Sequence, residues 1–430
     1  MERADVVVVG AGVVGASVAH ELARRGRRVV VLDRGPGAGT GSTSASSAIV
    51  RFNYSTWTGV AASWESKHLW ESWEGFLGGT DDGALARFHR TGGVCLDAPE
   101  LPTDLVLNLF DQVGVPYERW SPQELVQHLP HLDPGRHHPP RRIEDEEFWA
   151  EARGSLGAYF MPDAGFVDDP AFAAHNLMAA AVRHGAEFRF RQEVVAVERD
   201  GAAVAGLRLA DGRSVRAPVV VNAAGPHSAV LNTLAGVLDD FAVGTRPLRQ
   251  EVHQLPHPGG GTDPLPFVAD LDLGVYFRST PSGRLMVGGT EPACDPLEWL
   301  DDPDVLVDHV TPKVYEAQTY RAARRLPDLT VPPTPHGIVG VYDVSTDWVP
   351  IYDRTSLGGY YVAVGTSGNQ FKNAPVIGRF LATIIEATEE GRDHDAEPVS
   401  CLLDRTGLTV DLGHYSRLRD PASTSGTVLG

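Results

Sequence analysis

Short runs of consecutive apolar residues alternate along this chain with segments in which apolar residues recur at helical spacing. Val6–Val9 and Val29–Leu32 are continuous apolar runs, which predicts strands buried on both faces of a parallel sheet. Between them, residues 16–25 carry apolar side chains at helical spacing and are followed by Gly26, which predicts a helix with a glycine at its C-terminus. Together these segments predict one β-α-β unit.

The same alternation returns in the middle of the chain and near its end. The pattern there predicts helices over 170–184 and 374–387, and strands over 188–199, 203–209, 215–221 and 359–364. The segment between 247 and 290 predicts further strands over 250–255, 275–278 and 285–288. We therefore predict an α/β protein, α+β overall, in which a discontinuous Rossmann-like domain carries an inserted domain built on an antiparallel sheet.

Composition narrows the classes of partner. The 430 residues include 37 Lys and Arg against 56 Asp and Glu, a formal charge of −19, which argues against binding to nucleic acid or to an anionic membrane. No apolar run approaches the ~20 residues of a membrane span, and the first residues are too acidic for a signal peptide. The three cysteines are far apart, so we expect no disulfide framework and a cytoplasmic location.

The charge-dense segment 137–147 leaves two interpretations open. It is either a lid or partner contact, or a solvated insertion. His137 and His138 are adjacent, but no third ligand at a metal-binding spacing accompanies them, so we predict no metal site.

A glycine motif follows the first predicted strand. Gly10, Gly12 and Gly15 are spaced as in dinucleotide-binding turns: the first makes the tight turn, the second admits a pyrophosphate, and the third lets the helix pack on the strand. The N-terminus of the helix would present free N–H groups to the phosphates. Asp33, after the second strand, would accept hydrogen bonds from a ribose and would repel the extra phosphate of NADP. This motif leaves NAD and FAD open.

Two further segments favour FAD. Residues 39–47 form a small, hydroxyl-rich stretch that can lie along a long cofactor and bind its phosphates and ribityl chain. Residues 365–372 open the last predicted helix, where a helix N-terminus and Lys372 can stabilise negative charge on a reduced flavin ring.

Four blocks in a fixed order carry a resemblance: 6–34, 41–54, Gly165–Asp168 together with 222–228, and 340–375. With them the chain resembles the D-amino-acid oxidase superfamily of FAD-dependent oxidoreductases, in particular the branch of glycine oxidase, sarcosine oxidase and dimethylglycine dehydrogenase. The resemblance implies the glutathione-reductase-like class of fold. It implies an FAD-binding domain formed by 1–90, 155–235 and 335–430, and a substrate-binding domain formed by 91–154 and 236–334.

The resemblance also implies a set of residues that contact FAD. Val194 would lie next to the adenine, and Ala224 and Gly225 near the pyrophosphate. The remaining expected contacts are Gly10, Gly12, Val13, Val14, Gly15, Asp33, Arg34, Ser42, Thr43, Ser44, Gly368, Asn369, Gln370, Phe371 and Lys372.

The chain departs from its relatives at three places. The residues just before Tyr342 are Gly340 and Val341 instead of a cysteine, and no histidine lies within 43–47. Some relatives attach the flavin through these positions, so we predict non-covalent FAD. Met286 stands where some sarcosine oxidases carry the lysine at which oxygen reacts, which leaves oxidase and dehydrogenase open.

The resemblance implies that Arg51 and Lys372 hold a substrate carboxylate, for which a guanidinium fork and a second cation are suited. We expect Arg51, Lys372, Tyr342 and Tyr276 to form the catalytic group. The residues expected to contact the substrate are Arg51, Lys372, His253, Tyr276, Arg278 and Met286.

The expected reaction is oxidation of the C–N bond of an amino acid or an N-substituted (secondary) amino acid. A hydride would pass to flavin N5, the imine would hydrolyse, and electrons would pass to oxygen, giving hydrogen peroxide, or to another acceptor. One alternative is oxidation of a 2-hydroxy acid, which requires a general base. Another is a flavoprotein without turnover. The exact substrate and the oligomeric state stay open.

Overall fold

The computed structural model describes residues 2–79, 84–99, 101–261, 263–424 and 426–428. Its α-helices are α1 (Val13–Arg24), α2 (Trp57–Glu71), α3 (Trp73–Leu77), α4 (Thr103–Val113), α5 (Pro122–His128), α6 (Pro170–Arg183), α7 (Ser228–Ala235), α8 (Pro312–Arg325) and α9 (Ala374–Glu389). The strands of the first half are β1 (Glu2–Arg3), β2 (Val6–Val9), β3 (Val29–Leu32), β4 (Ile49–Val50), β5 (Phe88–His89), β6 (Gly93–Leu96), β7 (Glu118–Trp120), β8 (Ala158–Met161), β9 (Gly165–Val167), β10 (Glu187–Arg189), β11 (Val194–Asp200), β12 (Ala203–Leu209) and β13 (Ser214–Arg216). Those of the second half are β14 (Val219–Asn222), β15 (Thr245–Leu255), β16 (Phe267–Asp270), β17 (Val275–Ser279), β18 (Leu285–Gly289), β19 (Gly337–Ser345), β20 (Ile351–Arg354), β21 (Tyr360–Val364), β22 (Ser400–Leu402) and β23 (Thr409–Asp411).

A six-stranded sheet with the order β10-β3-β2-β14-β21-β20 forms the centre of the fold. Neighbouring strands from β10 to β21 run parallel, and β20 at the edge runs antiparallel to β21. The inner strands are apolar throughout because both faces of the sheet are covered. The predicted β-α-β unit is confirmed as β2, α1 and β3, although α1 begins at Val13, earlier than the pattern indicated.

The single strand predicted over 188–199 is wrong. The structure has two strands there in different sheets, since β10 pairs with β3 and β11 pairs with β12. Between them Arg191 adopts a φ of 55°, a left-handed conformation that breaks extended chain. The apolar alternation continues on both sides of this break, so the pattern alone joined the two strands.

The central sheet lies between two different layers. Helices α1, α6 and α9 cover one face, and the four-stranded sheet β1-β13-β12-β11 with α7 covers the other. Side chains of β2 divide between the two cores: Val6 and Val8 belong to the helical side and Val7 to the side of the second sheet. This alternation follows from the two-residue period of a strand.

An eight-stranded sheet, with the order β19-β15-β18-β17-β16-β6-β8-β7, lies opposite the central sheet, across the cavity described below. Its strand pairs are antiparallel except β16 and β6, which are parallel. Helix α8 packs on its outer face over Val94, Val268, Phe277 and Val287. The architecture is therefore the predicted combination of a Rossmann-like sheet and a largely antiparallel sheet, and the predicted fold class is confirmed.

The division into two domains stays a prediction. Strands β8 and β19, which come from segments predicted for the FAD-binding domain, pair within the eight-stranded sheet. Among the described residues, no helix combines the length and the apolar character that a membrane crossing requires.

Hydrogen bonds to Asp272 and to Arg321 of α8 fix the position of the charge-dense segment 137–147. The backbone N–H groups of His137 and His138 donate to the Asp272 carboxylate, each at 2.8 Å, and Arg321 donates to the Arg141 carbonyl at 2.8 Å. The residues of this segment do not line the cavity described below.

Candidate active site

The carboxyl ends of β2, β3, β14 and β21 meet at one edge of the central sheet, where a cavity of about 860 Å³ lies. Loops diverge at this edge of a parallel sheet, which makes it the usual place for a ligand. Tyr276 on β17 and Tyr342 on β19 form part of the opposite wall. The cavity is therefore bounded by the central sheet on one side and the eight-stranded sheet on the other.

The glycine turn after β2 is shaped by close approach of backbones. Gly10 has a φ of +106°, and a Cβ there would lie 2.2 Å from the Ala223 carbonyl oxygen. A Cβ on Gly15 would lie 1.9 Å from the Gly10 carbonyl oxygen, so this glycine lets α1 pack on the turn. Gly12 differs, because the atom nearest to its added Cβ is Thr43 Oγ1 at 3.1 Å. Its missing side chain leaves the N-terminus of α1 open toward the cavity.

Asp33 ties the turn after β2 to the turn after β3. Its carboxylate accepts hydrogen bonds from the N–H groups of Ala11 and Gly35, each at 2.6 Å. The Thr43 hydroxyl accepts from the Val13 N–H at 3.0 Å, which fastens the hydroxyl-rich loop to the start of α1. A carboxylate has about four lone-pair positions, so Asp33 keeps acceptor capacity toward the cavity.

Arg34 closes one end of the cavity with residues that the sequence analysis missed. Its Nη1 donates to Asp304 Oδ2 at 2.7 Å, and His227 Nε2 lies 3.0 Å from Asp304 Oδ1. The Arg34 guanidinium is the main cause that holds the pKa of Asp304 below its usual range. Val194 lies on the wall at this end together with Asp33.

At the opposite end, Tyr54 lies between the two cations predicted to bind a carboxylate. The Arg51 Cζ is 5.2 Å from the centroid of the Tyr54 ring and the Lys372 Nζ is 5.0 Å from it, distances at which a ring face attracts a cation. Lys372 also donates to the Tyr54 hydroxyl at 2.9 Å and to the Asn369 carbonyl at 2.5 Å. Arg51 follows β4 in the three-stranded sheet β4-β9-β5, which fixes where its backbone enters the site.

Burial raises the electrostatic free energy of placing these two positive charges in one site. Arg51 and Lys372 are 4% and 3% exposed. Desolvation, and then the positive charge of Arg51, lower the pKa of Lys372 well below its usual value. An anion placed beside both side chains would relieve this repulsion.

Two tyrosines form the wall contributed by the eight-stranded sheet. The Tyr276 hydroxyl is 2.6 Å from Ser47 Oγ, which links this sheet to the hydroxyl-rich loop. The Tyr342 ring packs on Gly368, where an added Cβ would lie 2.3 Å from the ring. Burial raises the pKa of both phenols, that of Tyr342 well above its usual value, so both remain protonated at neutral pH.

Two residues outside the predicted set belong to this end of the cavity: Val428 lies on its wall, and Glu291 contacts Val428 without itself lining the cavity. Glu291, just after β18, accepts from Gln250 Nε2 at 3.1 Å and from the Val428 N–H at 3.2 Å. The Val428 carbonyl accepts from Arg51 Nη2 at 2.6 Å. Glu291 lies three residues after the strand predicted over 285–288 and could have been found from that position, whereas no sequence signal connects Val428 with Arg51.

The predicted site residues divide into two groups. The wall contains Gly10, Gly12, Val13, Val14, Asp33, Arg34, Ser42, Thr43, Arg51, Val194, Ala224, Gly225, Tyr276, Tyr342, Gly368, Asn369, Gln370, Phe371 and Lys372. Gly15, Ser44, His253, Arg278 and Met286 do not line the cavity. Ser44 instead donates to the Gly41 carbonyl at 2.8 Å and shapes its own loop.

His253 lies on the wrong face of the sheet for the predicted substrate contact. In the strand register it is aligned with Val287 and Phe277, whereas Tyr276 is aligned with Gly288. Successive residues of a strand point to opposite faces, so His253 faces α8, where its ring packs edge-on to Tyr315 at 5.1 Å between centroids. Burial in this apolar layer lowers the pKa of His253 to about 4.

Arg278 and Met286 lie opposite each other on neighbouring strands, away from the cavity wall. Arg278 donates to the carbonyls of Ser47 and Ser279, each at 2.7 Å. Its guanidinium carbon lies 4.1 Å from the centroid of the Phe166 ring. The geometry thus makes Arg278 an anchor for the hydroxyl-rich loop and does not support its predicted contact with the substrate.

The residues of the wall fit FAD. The open N-terminus of α1 and the side-chain-free Gly12 suit a pyrophosphate, and the carboxylate of Asp33 suits a ribose. At the other end, residues 368–372 and the cation Lys372 suit a group that gains negative charge on reduction.

Comparison with known proteins agrees with this geometry. Residues 5–384 match the family model described as DAO, FAD dependent oxidoreductase. The chain is 27% identical over 419 residues to the sarcosine oxidase subunit beta of an Arthrobacter species, and the match covers 95% of this chain and 92% of that protein.

Solved structures share the fold. L-proline dehydrogenase from P. horikoshii has a TM-score of 0.75 at 22% identity, with 97% of both chains covered. Glycine oxidase from Geobacillus kaustophilus has a TM-score of 0.72 at 23% identity, covering 92% of this chain and 98% of that one. With a family model matching most of its length, this chain belongs to the DAO family of FAD-dependent oxidoreductases and is an oxidoreductase enzyme.

Proposed function

We propose that the enzyme holds FAD non-covalently and oxidises the C–N bond of an amino acid or an N-substituted amino acid. The observation that carries this proposal is the buried pair Arg51 and Lys372, both packed against Tyr54, on the wall of the same cavity that contains the glycine turn. Two buried cations on the wall of one cavity suit an anionic substrate group, and a carboxylate fits a guanidinium fork.

The relatives support the chemical class of substrate. The named proteins are a sarcosine oxidase subunit, an L-proline dehydrogenase and a glycine oxidase. All three names refer to α-amino acids, and two of these compounds, sarcosine and proline, carry a secondary amine. We therefore place the substrate among small amino acids, with secondary amines preferred.

The residues of the chain would act mainly by position and charge. FAD, when bound, supplies the two-electron acceptor for the oxidation. Arg51 and Lys372 would hold the substrate carboxylate, which fixes the orientation of the α-carbon. Tyr276 and Tyr342 would exclude water from that side of the cavity. No side chain need take a proton if the substrate binds as the free amine, so we expect the pH dependence to follow substrate ionisation.

The test is anaerobic reduction of the purified yellow protein by a panel of amino acids, secondary amino acids, amines and 2-hydroxy acids. Loss of the oxidised flavin absorption with amino acids supports the proposal. Reduction by 2-hydroxy acids alone would contradict it, and no reduction by any compound would favour a flavoprotein without turnover.

Oxidation of a 2-hydroxy acid stays the second candidate in that panel. It needs a base beside the alcohol, usually histidine. Of the histidines among the described residues, the cavity wall includes His227, which is paired with Asp304 at the end near Arg34. Asp304 also accepts from Arg34, which follows Asp33, so His227 is held at the end of the cavity expected to bind the ribose, and the geometry favours the amine.

Non-covalent attachment has its own test. Neither Val341, which precedes Tyr342, nor the loop residues 43–47 offers a cysteine or histidine for a flavin bond. Acid precipitation should therefore leave the yellow cofactor in the supernatant, and a yellow pellet would contradict the proposal. The electron acceptor, oxygen or another, is decided by whether peroxide forms during aerobic turnover.

A further inference from the structure

The backbone of one residue of the chain, Val428, bridges an acid and a base at the candidate substrate site. The Val428 N–H donates to Glu291 Oε2 at 3.2 Å, and the Val428 carbonyl accepts from Arg51 Nη2 at 2.6 Å. Val428 is 7% exposed and lies on the cavity wall. Glu291 and Arg51 are thus spaced to hold the nitrogen and the carbonyl oxygen of one and the same residue.

That spacing has a direct chemical meaning. The atoms N, Cα, C and O of Val428 are joined in the same order as the amine nitrogen, α-carbon and carboxylate of a free amino acid. Because Val428 is linked to Thr427, its nitrogen carries one substituent and one hydrogen, as the nitrogen of a secondary amino acid does. Covalent geometry fixes the distance between the two ends of either group.

The backbone conformation of Glu291 and its hydrogen bonds hold its carboxylate in place. Its backbone has a φ of 53°, a conformation that non-glycine residues adopt only when their surroundings require it. Its Oε1 accepts from Gln250 Nε2 at 3.1 Å, and its Oε2 accepts from the Val428 N–H. The phenols of Tyr276 and Tyr342 are near enough for its charge to raise their pKa values.

We propose that Glu291 binds the amine nitrogen of the substrate while Arg51 binds its carboxylate, and that Val428 occupies this pair of contacts in the resting chain. This inference rests on the proposed function. It assigns the nitrogen-binding residue, which the sequence analysis lacked, and it makes the segment 426–428 a competitor that has to leave before substrate binds.

Hydrogen bonding favours the exchange. Burial raises the pKa of Glu291 to about 8, although the hydrogen bond from the Val428 N–H lowers it in part, so most of this carboxyl is protonated at neutral pH. The nitrogen of a free amine can accept a hydrogen bond from that carboxyl through its lone pair, which the amide nitrogen of Val428 cannot do. A ligand that has a carboxylate but no nitrogen satisfies Arg51 and leaves Glu291 unpaired, so it binds less well.

The experiment compares ligands that differ by one group. N-methylglycine is paired with butanoate, and proline with cyclopentanecarboxylate, because in each pair a methylene replaces the N–H. The FAD-loaded enzyme is reduced with dithionite, so that it cannot oxidise the ligand, and is titrated anaerobically by calorimetry. We measure the ratio of the two dissociation constants within each pair for the wild type, Glu291→Gln, Arg51→Ala and the control Glu316→Gln, whose side chain is exposed on α8.

We expect Glu291→Gln to reduce the preference for the amino acid at least about tenfold. Arg51→Ala should weaken both members of a pair by similar factors, and Glu316→Gln should change neither. An unchanged ratio in Glu291→Gln, with both ligands still bound, contradicts the inference alone. If the reduced wild type binds neither ligand of either pair, the proposed function fails and the inference fails with it.

A second variant tests the competition separately. Deletion of residues 426–430 should strengthen binding of both ligands of a pair about equally, because Arg51 and Glu291 no longer hold Val428. Unchanged or weaker binding of both ligands in the deletion variant would contradict the resting position assigned to Val428.

Discussion

Hydrogen bonds within the protein fix the positions of the two cationic side chains of this site, Arg51 and Lys372. Arg51 donates to the Asn53 carbonyl at 2.8 Å as well as to Val428, and Lys372 donates to the Tyr54 hydroxyl and to the Asn369 carbonyl. These bonds fix both cations before a substrate arrives. A preorganised pair of cations contributes to binding without a further loss of side-chain freedom on association.

Arg51→Ala should raise KM for a carboxylate substrate far more than it weakens FAD binding. A charge-assisted hydrogen bond contributes about 1.5–3 kcal/mol, which corresponds to roughly a tenfold to hundredfold change in KM. Steady-state kinetics and FAD titration of the apoprotein measure the two effects. An equal loss of cofactor affinity would show that Arg51 serves the flavin instead of the substrate.

Lys372→Met should lower both the flavin reduction potential and the affinity for substrate. A cation at this position stabilises the negative charge of the reduced ring and of the bound carboxylate. Spectroelectrochemistry measures the potential, and Lys67→Met is a matched control because Lys67 is also buried, 2.9 Å from Glu71, and does not line the cavity. If Lys372→Met and Lys67→Met leave the same potential, Lys372 has no contact with the flavin.

At the scale of elements, the turn between β2 and α1 separates glycines needed for folding from a glycine needed for ligand approach. A side chain on Gly10 or Gly15 would meet backbone atoms at 2.2 or 1.9 Å, whereas one on Gly12 would meet the Thr43 hydroxyl at 3.1 Å. Backbone atoms of a packed turn cannot move aside as a hydroxyl can. Gly12 is therefore the position at which the two roles can be tested separately.

Gly12→Ala should reduce FAD affinity by about tenfold or more and change the stability of the apoprotein little, because the added methyl group projects toward the expected pyrophosphate. The control is Gly244→Ala, where an added Cβ meets nothing within 4 Å. FAD titration and urea unfolding of the apoproteins provide the two measurements. Equal FAD affinities in the two variants would remove Gly12 from the cofactor site.

Strand register decides on which face of the eight-stranded sheet Tyr276 and His253 lie. The apolar pattern predicted strands near those that carry Tyr276 and His253, and these strands exist as β17 and β15. Pairing them through β18 brings Gly288 beside Tyr276 and Val287 beside His253. A shift of one residue exchanges the faces of a strand, so the contact predicted for His253 depended on a register that the sequence does not contain.

At the scale of the whole molecule, buried acids in the site link its stability to pH. Burial raises the pKa of Glu291 to about 8 and that of Asp343 to about 7, from ordinary values of 4.5 and 3.8. Between these ordinary and raised values the unfolded chain binds fewer protons than the folded one. The two groups therefore make the free energy of unfolding fall as pH rises from 3.8 to about 8.

Glu291→Gln should flatten that fall, because the amide does not titrate. Urea midpoints of the wild type, Glu291→Gln and the exposed control Glu316→Gln, measured from pH 5 to pH 8, give the three slopes. The control should follow the wild type. A slope in Glu291→Gln that matches both would mean that Glu291 titrates as an ordinary exposed carboxyl group.

The sequence by itself determined the start of the nucleotide-binding unit. Val6–Val9, the three glycines and Asp33 are close together along the chain, and their spacing predicts the turn and the helix of one β-α-β unit, both of which the structure contains. The contact of Asp33 with a ribose stays a prediction. The fold class followed from the same alternation repeated later in the chain. Local periodicity can carry such information because strand and helix periods are set by the backbone itself.

Only the tertiary structure decided which distant residues meet at the end of the cavity proposed for the substrate. Arg51, Glu291 and Val428 are far apart in the sequence, and they meet because a short three-stranded sheet, the end of β18 and the segment 426–428 converge on one place. The apolar pattern predicts neither the break at Arg191 nor the register of β15. Such contacts depend on how whole sheets pack, and packing is a property of surfaces that the order of residues along one strand does not specify.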